Sequence, residues 1–138
     1  RVSTYLELLK IKNTYTKNMH EDFVTEEVEA WGDASYSTYY SLRTLIIENQ
    51  LYISNELEQK FSILRMKAAG FIKEAEMTES YSVANDIAPW DAQEDMSEVY
   101  NKFATETHHE MDAFFTQVDS DVNKLRSRIE IDKNSNIL

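Results

Sequence analysis

Cysteine is absent from this chain, and glycine and proline nearly so, at two residues and one. The first absence removes disulfides, thiolate nucleophiles and zinc–thiolate centres, and it leaves the compartment open with the cytoplasm preferred. The second leaves little material for tight turns, hairpins or phosphate-cradling loops, against roughly 12 percent combined usage in average proteins, and so argues against a β-rich fold. Gly32 and Gly70 each stand alone, so neither a glycine-rich phosphate loop nor a Gly-x-Ser-x-Gly nucleophile turn can be built. Apolar runs are short, as in Leu45-Ile46-Ile47 and Leu51-Tyr52-Ile53, far from the roughly 18 residues that span a membrane.

Positive charge is scarce as well. Fourteen Lys and Arg face 25 Asp and Glu, for a formal charge of −11. The first twenty residues carry +3, from Arg1, Lys10, Lys12 and Lys17 against Glu7, whereas residues 21–30 carry −5 through Glu21, Asp22, Glu26, Glu27 and Glu29. A second block, Asp86, Asp91, Glu94, Asp95 and Glu98, has no base between residues 81 and 100. Such a field repels phosphate backbones and anionic lipid heads, so nucleic acid and direct membrane insertion are not expected, and basic protein partners are favoured. Much of the acid also serves simply to keep the surface soluble. The second block does not make a calcium loop, because it lacks alternating oxygen ligands and a central glycine and is interrupted by Pro89-Trp90.

What is present is a helical rhythm. Leu57, Phe61, Leu64, Ala68, Phe71 and Ala75, and later Ala104, His108, Met111, Phe115, Val118, Val122, Leu125 and Ile129, follow a four-three spacing. A side chain recurs on one helical face every 3.5 to 3.6 residues, so both rows predict seams of helices packed lengthwise. The length of 138 residues suits one domain with its own core, and a single domain over residues 1–138 is expected.

A first helix is expected from about Ser3 to Ala30, with Leu6, Leu9, Met19, Phe23 and Val28 as core candidates. Trp31-Gly32-Asp33 reads as a break or kink, with Asp33 or Ser35 capping a second helix that runs to about Glu48. That helix has Ser35, Thr38, Leu42 and Leu45 on one side and Tyr36, Tyr39, Tyr40, Ile46 and Ile47 on the other. Ser54 is placed to cap a third helix reaching about Glu79. Residues from Thr78 to Ala88 lack any period and read as the longest loop. A fourth helix starts near Pro89, where a missing amide hydrogen costs nothing, and runs to about Glu130. These elements predict an all-α fold, an antiparallel up-down-up-down four-helix bundle with long helices.

Imidazole and carboxylates cluster only at Glu106-Thr107-His108-His109-Glu110-Met111-Asp112. Glu106 and His109 have the three-residue spacing of bundle di-metal proteins, but His20 is preceded three positions back by Lys17, so the second half of such a site is missing. No metal ligand, catalytic residue or cofactor is therefore assigned. His108 lies on the predicted seam with Asp112 one turn away, a candidate polar core position or pH-responsive pair. Trp31, Tyr36, Tyr39, Tyr40 and Tyr52 form the most suggestive remaining set, because Tyr and Trp supply large rigid contact area with a polar tip. Either they line the outer core of a thin bundle or they bind a partner.

The expected role is a non-enzymatic helical interaction or scaffold module that docks a protein partner or another copy of itself. Two alternatives belong to other classes: a ligand-sensing bundle excised from a membrane-anchored receptor, and a carboxylate-bridged metal protein. The start at Arg1 and the end at Asn136-Ile137-Leu138 suggest a piece of a longer chain.

Overall fold

Strong helix formers with few punctuating residues give helices here and little else. The computed structural model describes residues 2–25, 28–84 and 89–136, and among them are four α-helices and no strand. Helix α1 spans Val2–Thr25, α2 Val28–Glu48, α3 Asn55–Ala84 and α4 Pro89–Asn136. A 3-10 turn over Gln50–Tyr52 joins α2 to α3. Ser54 ends that connection as an N-cap: its hydroxyl accepts the Leu57 amide N–H at 3.1 Å, and Glu56 and Glu58 sit in the first turn, where negative charge meets the positive end of the helix dipole.

One buried cluster draws on all four helices: Tyr5, Leu8 and Tyr15 of α1, Tyr39, Leu42 and Ile46 of α2, Leu57, Phe61, Leu64 and Ala68 of α3, and Phe103, Met111, Phe114, Phe115 and Val118 of α4. Helix α4 is the common neighbour, packing most extensively on α3 and α2, while α1 lies chiefly on α2. The pairings along α4 are ordered. Tyr5, Lys12 and Tyr15 meet Asp121, Asp119 and His108, and Phe61, Lys67 and Phe71 meet Phe114, Glu110 and Phe103.

Several expectations need correction. Helix α2 begins at Val28, so Gly32 is inside a helix rather than at a break. A Cβ at Gly32 would clash with the Asn101 side-chain oxygen and lie 2.8 Å from the Asn101 nitrogen and 2.9 Å from the Tyr100 carbonyl carbon. Glycine is needed there because the α2 and α4 backbones nearly touch. Helix α3 continues to Ala84, through the first part of the expected loop, and α4 continues to Asn136. Of the proposed α1 core, Leu9 is half-buried but Leu6 is exposed; Tyr5 and Leu8 take the inward face. The α4 seam runs through Thr107, not His108, and Ile129 is exposed. Thr107 is tolerated in the core because its hydroxyl donates to the Phe103 carbonyl at 2.6 Å. The side chains of Met19, His20, Phe23, Val28, Trp31 and Ala75, and the acidic blocks apart from Glu98, lie outside the described residues.

Candidate functional site

Of the aromatic set, Tyr36 and Tyr39 turn toward the core. Tyr39 is buried, its ring 6.4 Å from Phe61 and 5.8 Å from Phe103. Tyr36 is half-buried, 4.7 Å from Tyr100 and 5.2 Å from Phe103, and its hydroxyl donates to Tyr40 at 3.3 Å. Burial pushes the Tyr36 phenol up, and the Tyr40 hydrogen bond adds to it; burial also raises Tyr39, opposed by the Arg43 and Arg65 charges. Tyr40 and Tyr52 remain exposed. The set is thus divided between the α2–α4 core and the surface, instead of forming one patch.

His108 and Asp112 do meet. His108 Nε2 lies 3.2 Å from Asp112 Oδ2, with both side chains about half exposed, and Nδ1 lies 3.3 Å from the hydroxyl of buried Tyr15. A neutral ring protonated at Nε2 serves both contacts, accepting from Tyr15 and donating to Asp112. Burial, then the Asp112 charge, raises the Tyr15 phenol. Glu106 and His109 are exposed, and among the described residues no three His, Asp or Glu side chains come together to hold a metal ion.

A tighter polar centre, unmarked by any local motif, surrounds Asp121, which is 5% exposed. Asp121 Oδ2 accepts the Tyr5 hydroxyl at 2.6 Å and the Ser54 hydroxyl at 2.5 Å, and Oδ1 accepts Gln117 Nε2 at 2.9 Å. The Ser54 amide in turn donates to Tyr5 at 3.1 Å. Burial raises the Tyr5 phenol, as does the Asp121 hydrogen bond, while the Ser54 amide pulls it back. One carboxylate thereby ties α1, the start of α3 and α4 together. Beside it is a cavity of about 170 Å³, lined by Tyr5, Ser54, Glu56, Asp121, Lys124, Leu125 and Arg128. Three donors from within the chain, on Tyr5, Ser54 and Gln117, are committed to its two oxygens, so the centre reads as a structural clamp.

Apolar side chains left outside the core gather elsewhere. Leu51 is 93% exposed in the 3-10 turn, beside exposed Ile47 and Tyr52. On α3, Ile63 is 55%, Met66 77% and Met77 63% exposed. With Gln59, Gly70 and Lys73 they repeat the four-three spacing of the inner seam, two positions out of phase, on the opposite side of the helix. The signal for this second row was present in the residues, but the more apolar inner row masks it. Its charge is also unusual for the chain: residues 59–77 contain Lys60, Arg65, Lys67 and Lys73 against two acids, Glu74 and Glu76, at the far end.

Comparisons of the chain with protein-family models, with curated proteins and with solved structures returned no match.

Proposed function

We propose that this chain is a non-enzymatic helical interaction module, which binds a protein partner through apolar side chains its own core leaves uncovered. The observation that carries this is the exposure of Ile63, Met66 and Met77 along one face of α3, beside a core that draws on all four helices. Scattered single exposures are ordinary, but an ordered row along one helix is the pattern of a surface made to meet another element. The excess of acid, −11 overall, favours proteins over nucleic acid or anionic lipid as partners.

The descending order of α4 residues met by α1 and by α3 supports an antiparallel up-down-up-down bundle with long helices in a single domain. That arrangement turns the outer face of α3 away from α4. Light scattering across concentration and salt, alone and with helical peptides of acidic and basic character, tests the role. Peptide binding or salt-dependent assembly is expected. A chain that stays monomeric throughout and binds neither peptide defeats it.

A further inference from the structure

The geometry points to the outer face of α3 as a docking seam for an acidic amphipathic helix of a partner protein, laid lengthwise over Ile63, Met66, Gly70, Lys73 and Met77. This rests on the interaction role proposed above and gives it a site and a partner chemistry. Three independent features converge on it.

The first is spacing. Positions 57, 61, 64, 68 and 71 face inward, and positions 59, 63, 66, 70, 73 and 77 continue the same rhythm on the other side. A helix needs one such row for each neighbour it packs against lengthwise. The inner row meets α4, and the outer row carries three large apolar side chains that stand open to water.

Glycine supplies the second. Mid-helix glycine costs about 1 kcal/mol relative to alanine. Gly32 returns that cost inside the fold, because it lets α2 and α4 come into backbone contact. Gly70 has nothing within 4 Å of where its Cβ would be, so no contact among the described residues calls for it. It sits in the middle of the outer row, one turn from Met66 and from Lys73, where a missing Cβ lets an incoming helix approach closely.

Charge is the third and selects the occupant. Along or beside the row the exposed charges are Lys60, Arg65 and Lys73 against Glu76 at its far end, while Lys67 is held by Glu110 at 2.9 Å and Glu74 pairs with Lys102 at 3.6 Å. A symmetric pairing of two copies through this face would set these bases against their own equivalents, which is unfavourable. Anionic membrane is disfavoured by the overall charge of −11 and by a row without Trp or Phe to anchor it. A helix with an apolar row flanked by Glu and Asp satisfies both the Met and Ile side chains and the bases.

The test uses the intact chain and two labelled synthetic helices with the same leucine row, one flanked by glutamate and the other by lysine, followed by fluorescence anisotropy. The glutamate helix is expected to bind and the lysine helix not. Binding should weaken about tenfold or more in Met66→Glu, Lys73→Glu and Gly70→Leu, with the circular-dichroism melt retained, and should weaken as salt rises from roughly 50 to roughly 500 mM. Leu51→Glu, in the α2–α3 turn, should leave it unchanged. Equal binding of both helices, or a dimer or anionic-vesicle complex that Met66→Glu dissolves while the glutamate helix fails to bind, overturns the proposal. Binding that survives Met66→Glu but is lost in Leu51→Glu removes the α3 site and leaves the interaction role standing. Absence of binding by either helix to a strictly monomeric chain removes both.

Discussion

At the scale of single residues, the most consequential side chain is one with no local signature. Asp121 resembles any other acid on an amphipathic helix until Tyr5, 116 positions away, and Ser54, 67 positions away, are brought to it. Asp121→Ala would leave two hydroxyls and an amide without their acceptor, so a loss of about 2 to 3 kcal/mol in urea denaturation is expected, against about 1 kcal/mol for Tyr5→Phe. Equal, small losses from the two would show that water replaces the carboxylate. Tyrosine governs the alkaline limit. Burial raises Tyr5, Tyr15 and Tyr39 above the ordinary value of 10.0. A phenol whose folded value is raised contributes stability fully below its unfolded value, and that contribution is lost as pH climbs through the folded one. Urea midpoints should therefore hold up to about pH 10 and fall above it, with phenolate absorbance of these rings appearing together with unfolding.

Among the elements, the two glycines provide a matched pair. Gly32→Ala gains helix propensity but forces a methyl group into the Asn101 backbone, so it should destabilise by about 1 to 3 kcal/mol. Gly70→Ala meets nothing and should stabilise by about 0.5 to 1 kcal/mol. Thermal melts of both variants give the two signs directly. The contrast also marks where sequence reasoning runs out. The inner row of α3 and the cap at Ser54 were readable, because spacing and capping are local properties of the chain. At Gly32 propensity alone points to a break, because it counts glycine against a helix, whereas the close approach of α4 is a fact of tertiary packing. On α4 the predicted row was partly out of register: Ala104, Met111, Phe115 and Val118 are buried, but Thr107 is buried where His108 was expected. A threonine that returns its hydroxyl to the preceding turn is compatible with the core, a property hydropathy does not register. The aromatic set of α2 was ambiguous for a similar reason. Tyr36 and Tyr39 pack on Phe103, while Tyr40 and Tyr52, equally amphipathic, stay outside.

For the whole molecule, charge sets the balance between self-repulsion and local pairing. The −11 surplus repels itself over the entire surface, while ion pairs such as Lys10–Glu7 and Lys12–Asp119 are individual and exposed or partly exposed. Exposed pairs contribute about 0 to 1 kcal/mol each, so screening removes little from them, yet it relieves the diffuse repulsion generally. Raising salt from roughly 10 to roughly 500 mM should therefore move the urea midpoint upward. The basic stretch of α3 sharpens the expectation, because Lys60, Arg65 and Lys73 offset part of the acidic field at the surface they occupy. Lys60→Glu combined with Lys73→Glu deepens the surplus, and it should lower the midpoint at low salt and steepen its rise with salt. A midpoint that falls with salt in the parent chain would mean that local pairs outweigh the field. The bases of α3 would then be holding the fold together, rather than standing free for an acidic partner.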